Sequence, residues 1–175
     1  MELADWTREL PALRTLAIAG GLAALLGWER ELARKPAGLR THILVGVGAA
    51  LLILLGDTAM DRWARERPGD AMQGDPIRML QAVVVGISFL GAGTIVHARG
   101  APVEGLTTAA SVLLTAAIGM AVALGRVPLA TMLTVGAVGM IFGLGLLERR
   151  LGTDAPPVTR PVDPVSRLRR APPGS

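Results

Sequence analysis

The sequence predicts an all-α membrane protein, a compact bundle of about five transmembrane helices, from its composition, its apolar blocks and the distribution of its charges. Of its 175 residues, 51% are hydrophobic but only 3% are aromatic, and 22 are glycine. Glycine is commoner in membrane helices than in soluble ones. The apolar residues form five long blocks, and most of the 18 Lys and Arg lie between or after them. A soluble bundle would need amphipathic helices, and these blocks leave none to cover a core.

Each block suits a membrane span, because a hydrocarbon core of about 30 Å needs about 20 helical residues. The first block, residues 11–28, carries Arg14 near one end, where a long side chain reaches the headgroups. The second, 41–56, is short and extends into 57–60. The other three reach full length and cover residues 79–97, 106–125 and 127–147.

The basic residues predict the orientation of the chain. With five spans, one side of the membrane carries eleven Lys and Arg and the other carries seven. The positive-inside rule then predicts a cytoplasmic C-terminus and an N-terminal segment, residues 1–10, outside the cell. Residues 11–150 form the predicted membrane domain. The tail, residues 151–175, is rich in proline and arginine without apolar periodicity, which predicts a disordered cytoplasmic segment.

Several function classes are excluded or disfavoured. The chain has no cysteine, so disulfides and thiolate chemistry are absent. The few His, Asp and Glu residues lack metal-site spacing and are too scattered for catalysis, so we predict no enzyme, no cofactor and no metal. The arginines follow the membrane topology, which argues against a nucleic-acid partner. The stretch "GISFLGAGTIV", Gly86 to Val96, resembles a phosphate loop, but Ala92 stands where that loop needs lysine.

Small residues define one face on four of the five predicted helices. Such faces let helix backbones approach closely in lipid. In the first block the face holds Ala17, Gly20, Ala24, Gly27 and Glu31. In the third it holds Arg78, Ala82, Gly86, Phe89, Gly93 and His97, with Asp75 as the intrahelical partner of Arg78. In the fourth it holds Glu104, Thr108, Ser111, Thr115 and Gly119, and in the fifth it holds Gly139 and Gly143.

These faces support two interpretations. One is a polar crevice between the third and fourth helices, with Arg78, His97 and Glu104 near its ends. The other is tight packing, in which hydroxyl groups bond to carbonyls of the preceding turn. Gly91 points away from the face of Gly86 and Gly93, so we expect the third helix to touch two neighbours. Both histidines, His42 and His97, are expected at the membrane interface.

Three segments, in this order, resemble the signatures of the MgtC/SapB family. They are "GWERELARKPAGLRTHILVGVGAAL" from Gly27, "DPIRMLQAVVVGISFLGAGTIV" from Asp75 and "VEGLTTAASVLLTAAIGMAVALG" from Val103. The resemblance implies a bacterial inner-membrane protein with about five spans. Its best-known members are virulence factors for growth in low magnesium. Those members carry a folded cytoplasmic domain after the last span, whereas only the Pro/Arg-rich tail follows Glu148 here, so we expect a short form and do not carry over the virulence role.

The resemblance implies a set of functional motif residues. They are Glu29, Arg30, Gly38, Arg40, Asp75, Arg78, Gly86, Gly91, Gly93, Gly105, Thr107 and Thr108. The function it implies is a non-enzymatic regulator in magnesium or stress homeostasis. Such a regulator contacts another membrane protein, either the ATP synthase or a transporter, or a second copy of itself within the lipid bilayer. The alternative is a carrier or channel for Mg²⁺ or another small solute, which needs oxygen ligands along a path.

Overall fold

The fold, seen in a computed structural model, is a bundle of five α-helices, and the structure describes residues 3–66, 76–95 and 104–151. No β-strand occurs within these ranges. The helices, in chain order, are α1 (Leu3–Leu32), α2 (Leu39–Glu66), α3 (Pro76–Gly93), α4 (Leu106–Ala123) and α5 (Val127–Leu151). All five are long and apolar enough to cross a membrane. The all-α prediction with five spans is therefore confirmed. Of the predicted tail, residues 151–175, Leu151 is the last residue of α5, and 152–175 lie outside the described residues.

The helix ends differ from the apolar blocks at several places. Helix α2 continues to Glu66, and at 1.5 Å per residue its 28 residues measure about 42 Å, more than the hydrocarbon core. Its last turns are exposed and polar, with Asp61 and Arg65 paired at 3.6 Å. Helix α3 ends at Gly93, and His97 lies outside the described residues. The blocks thus located the apolar part of each helix but not its ends.

The connection from α4 to α5 is short, and a glycine in the left-handed conformation lies beside each end of α4. Gly125, with φ of +74°, follows α4 in the left-handed conformation that glycine adopts without strain. The next residue, Arg126, donates its N–H to the Ala121 carbonyl at 2.8 Å, which closes the end of the helix. Gly105, with φ of +89°, precedes α4.

Helix α3 begins with Pro76. Proline is favoured at the first helical position because an N–H there would have no partner within the helix.

Helix α4 is the centre of the bundle, whereas α3 and α5 are peripheral. Half of the span of α4 is buried, against 11% of the spans of α3 and α5. Helices α1 and α2 pack along each other, and α4 lies against both. Two hydrophobic clusters result, one around Val83 and Val112 from α3 and α4, the other around Leu26 and Ile118 from α1 and α4. This arrangement brings the polar residues of α1, α2 and α4 together at one end.

Candidate functional site: a buried polar cluster of α1, α2 and α4

The first part of the cluster is a charged pair at the end of α1. Arg30 is only 2% exposed and Glu29 only 7% exposed, and a guanidinium nitrogen of Arg30 lies 3.7 Å from Glu29 Oε2. Two further nitrogens of Arg30, Nε and Nη2, are buried without a hydrogen-bond partner among the described residues. Because a buried charge is costly unless it is paired, these neighbouring residues depend on each other.

The connection from α1 to α2 is fixed by the next residue, Glu31. Its carboxylate accepts the N–H of Leu39 at 2.9 Å, so a side chain of α1 caps the first turn of α2. Gly38 lies directly against this carboxylate, and a Cβ at that position would overlap it. Gly27 is also in close contact with α2, since its Cβ would lie 2.8 Å from that of His42. The glycines of the first signature therefore allow α1 and α2 to approach closely.

The second part of the cluster is a hydrogen-bond chain from α2 to α4 through His42. This side chain is completely buried, and its Nδ1 lies 2.8 Å from the Gly38 carbonyl oxygen. Its Nε2 lies 3.3 Å from Ser111 Oγ, and that hydroxyl lies 2.8 Å from the Thr108 carbonyl oxygen. Ser111 has one hydroxyl hydrogen, so it can donate either to Thr108 or to a neutral His42. The chain of contacts links Gly38, His42, Ser111 and Thr108.

Further along both helices from the hydrogen-bond chain, α2 and α4 are in backbone contact. They run in the same direction, with Gly46 of α2 opposite Thr115 and Gly119 of α4. A Cβ on Gly119 would overlap the Gly46 carbonyl oxygen and lie 3.0 Å from its carbonyl carbon. Thr115 is buried here and donates its hydroxyl to the Ser111 carbonyl at 2.8 Å. Small residues thus bring the two helices close together, as expected in lipid.

The sequence predicted a polar crevice between the third and fourth helices. This prediction is wrong about which helix lies against the polar face of α4. The hydroxyl face of α4, formed by Thr108, Ser111 and Thr115, lies against α2. Glu104 is exposed at one end of this face. The tight-packing interpretation describes these hydroxyls better, since Ser111 and Thr115 bond to carbonyls of their own helix. In α1, Gly20 faces α2 with a would-be Cβ 3.1 Å from Val47, whereas Ala17 is exposed.

Of the two contacts predicted for the glycines of α3, the structure shows the one through Gly91. Gly91 is buried, and its Cβ would make ordinary contacts with Ala109 of α4 at 3.5 Å. Gly86 and Gly93 are exposed, and among the described residues a Cβ at either would meet nothing within 4 Å. At these two positions α3 makes no close contact with the described part of the chain, and it packs on α4 through Gly91. Phe89, on the predicted contact face, is 81% exposed.

The remaining motif residues lie apart from the cluster. Gly105 touches the end of α3, where a Cβ would overlap the Thr94 carbonyl oxygen. Arg40, Arg78 and Thr107 are exposed. Asp75 lies outside the described residues. Of the motif residues, the structure therefore pairs Glu29 with Arg30 and places Gly38 and Thr108 in the hydrogen-bond chain through His42.

Sequence reasoning missed His42 and Glu31 as parts of this cluster. His42 was expected at the membrane interface and is instead fully buried. One signal was available: His42 follows Gly38 by one helical turn, and an imidazole there can donate to that carbonyl. The cluster offers hydrogen-bond donors and acceptors but no metal site, since the described residues contain no group of three or more His, Asp or Glu close enough to hold an ion.

Comparison with known proteins gives the chain a family. The model of the MgtC family matches residues 16–150. A putative magnesium transporter, YhiD of Escherichia coli (strain K12), is 38% identical over 133 residues, which cover 76% of this chain and 57% of that protein. Protein MgtC of Brucella abortus (strain 2308) is 37% identical over 71% of this chain and 49% of its own length. Protein SapB of Bacillus subtilis (strain 168) is 31% identical over 70% and 52%, respectively.

The chain spans about half the length of these curated relatives. No solved structure matches it. The match to the family model covers all five helices except the first turns of α1 and the end of α5, so the polar cluster lies within the matched region.

Proposed function

The chain belongs to the MgtC family and is a multi-pass membrane protein, and from this premise we propose that it is a non-enzymatic regulator of the bacterial inner membrane. It acts by helix–helix contact with another membrane protein, in magnesium or stress homeostasis. The relatives named MgtC, SapB and YhiD support the link to magnesium, since one of them is named as a putative magnesium transporter.

The observation that carries the helix-contact proposal is an open glycine face on α5. Among the described residues, a Cβ at Gly136, Gly139 or Gly143 would meet no atom within 4 Å apart from the surrounding turns of α5 itself. At 100° per residue these glycines lie within one sector of the helix surface. The neighbouring side chains of Met132 and Met140 are 73% and 66% exposed, respectively. We call this surface the α5 glycine face. Gly139 and Gly143 have the small-xxx-small spacing at which membrane helices approach closely.

The small faces of α1, α2 and α4 cannot serve this purpose, because they are used inside the bundle. Gly20 and Gly27 contact α2, and Gly46 contacts Gly119. The α5 glycine face lies on the periphery instead, and methionine is an adaptable side chain for contact with another protein. A transmembrane helix of a partner can therefore pack on α5 without any change in the bundle.

The charges of the cluster favour a regulator over a Mg²⁺ carrier. Among the described residues, Glu29 is the buried carboxylate, and the Arg30 guanidinium beside it already supplies a positive charge. A hard divalent cation prefers several oxygen ligands and is repelled by a neighbouring cation. A carrier would need a path that avoids this pair.

A matched pair of variants tests the proposal. Gly139→Leu places a bulky side chain on the α5 glycine face, whereas Thr131→Leu places one on another exposed part of α5. We expect Gly139→Leu to lose the partner in pull-downs from solubilised membranes, with the membrane sector of the ATP synthase as the first candidate, while Thr131→Leu retains it. Equal recovery of every partner by both variants would contradict the role of this face.

A flux assay separates the two functions. The purified protein is reconstituted in liposomes that contain a Mg²⁺-sensitive dye. If the protein is a regulator, Mg²⁺ should enter these liposomes no faster than it enters dye-loaded liposomes without protein. Entry that depends on the protein would establish the carrier instead.

The proposed orientation, with the N-terminus outside and the C-terminus in the cytoplasm, is measurable by labelling single cysteines introduced at either end, because the chain has none of its own.

A further inference from the structure

A lateral groove separates α2 from α3 and opens towards the surrounding lipid. The two helices touch at one end, where the Met79 side chain lies on Gly56. Along the rest of α3 the groove has a volume of about 590 Å³. Its walls are apolar except for Thr41 at the opposite end, and they include Leu44, Gly48, Leu52, Ala82, Gly86 and Leu90. We call this the α2–α3 groove.

The length of the α2–α3 groove corresponds to one leaflet of a bilayer. Its walls extend from Thr41 to Leu52 on α2 and from Met79 to Leu90 on α3. At 1.5 Å per residue this is about 17 Å. Half of a hydrocarbon core of about 30 Å is about 15 Å, the depth that the acyl chains of one leaflet occupy. A partner helix would instead cross both leaflets.

Exposed basic residues lie at the same end of α2 as Thr41, although none of them lines the groove. Thr41 lies in the first turn of α2, and the preceding residue, Arg40, is exposed. Arg34 and Lys35 are exposed in the connection just before α2. Two acids also lie at this end: Glu31 accepts the N–H of Leu39, and Glu104 is exposed just before α4. Basic residues at this level attract anionic lipid, by about fivefold in affinity for each charge near the surface.

We propose that the α2–α3 groove binds one acyl chain of an anionic phospholipid, whose headgroup lies at the membrane level of Arg40, beyond the walls of the groove. The site is distinct from the α5 glycine face and does not depend on the proposed regulatory function. The apolar walls bind the acyl chain through dispersion contacts, and the exposed basic residues at this end favour an anionic headgroup. Because Ala82 and Gly86 have small side chains or none, the α3 wall leaves room for the acyl chain.

Native mass spectrometry with defined lipids tests the site. The full chain is purified in detergent and offered phosphatidylglycerol and phosphatidylcholine with the same acyl chains. We expect the wild type to retain phosphatidylglycerol preferentially. Arg40→Gln should lower the phosphatidylglycerol preference about fivefold, whereas Arg62→Gln, at an exposed arginine near the far end of α2, should not.

A groove-filling variant tests the chain-binding walls. Gly86→Leu fills the α2–α3 groove without a clash, and Gly21→Leu places the same side chain on an open part of α1. We expect Gly86→Leu to lose both lipids and Gly21→Leu to bind as the wild type does. If Gly86→Leu fails to fold, Ala82→Leu, on the same wall, replaces it. Undiminished lipid binding by a folded groove-filled variant would overturn the proposal. So would a groove-filled variant that keeps its lipids but loses a protein partner.

Discussion

The contact between Gly119 of α4 and Gly46 of α2 predicts that one methyl group will separate the two helices. In Gly119→Ala the new Cβ overlaps the Gly46 carbonyl oxygen and lies 3.0 and 3.2 Å from its carbonyl carbon and Cα. These are backbone atoms, so no side-chain rotation relieves the overlap. An ordinary contact needs at least 3.4 Å, and α2 and α4 must therefore separate by roughly 1 Å.

The cost follows from the dispersion contacts that this separation weakens. A gap of about 0.5–1 Å forfeits a quarter to a half of each contact, and overpacking of this kind costs about 1–3 kcal/mol. Because the obstacle is backbone, we take the upper value of about 3 kcal/mol. Alanine favours the helix by about 1 kcal/mol relative to glycine. The expected net loss in the free energy of unfolding is therefore about 2 kcal/mol.

The assay is unfolding by SDS in mixed micelles, followed by tryptophan fluorescence. Trp28 and Trp63 lie on α1 and α2 and report on the bundle. The matched control is Gly21→Ala, whose new methyl group meets nothing within 4 Å. The control should be as stable as the wild type or up to about 1 kcal/mol more stable. If Gly119→Ala unfolds within about 0.5 kcal/mol of this control, the backbone contact is not as close as described.

Three further changes test the polar cluster and the turn before α4 with the same unfolding assay. Arg30→Met should cost about 3–5 kcal/mol because Glu29 is left buried and charged, and adding Glu29→Leu should restore most of it; a double variant as unstable as the single one would show that the charge is not the cause. Gly105→Ala should cost about 2 kcal/mol or more, since φ is +89° and the new Cβ overlaps the Thr94 carbonyl; stability at the wild-type level would exclude this strain. Ser111→Ala should cost about 1–2 kcal/mol because it removes the polar neighbour of the buried His42 Nε2, and no loss would mean that this contact contributes nothing.

The sequence was sufficient for the number of helices and for the residues that share each face. Apolar length predicts spans, and a period of 3.6 residues determines which side chains lie together. Thr108, Ser111, Thr115 and Gly119 were placed on one face of α4, and all four are buried together. Gly20 and Gly27 were likewise placed on one face of α1, and both contact α2.

The neighbour of each face was not predictable, because helical periodicity contains no information about which helix lies opposite. The hydroxyl face of α4 was assigned to α3, the preceding helix in the chain, but α2 lies there. Gly86 and Gly91 point in different directions, and nothing local distinguishes the packed glycine from the open one. The end of α2 was missed for another reason: hydropathy falls after Gly56, yet no glycine or proline interrupts residues 57–66, so the helix continues.

The parallel contact of α2 with α4 has a consequence for the biogenesis of the protein. Parallel neighbours require an intervening span, so α4 reaches its place only after α3 has crossed the membrane. During synthesis, the α1–α2 hairpin therefore exists first, and the side of His42 that Ser111 later covers is without its partner. We expect this side to remain next to the insertion machinery until α4 emerges. A photo-crosslinker at position 42 should then label the machinery in chains arrested before α4, and lose that contact once α4 is complete.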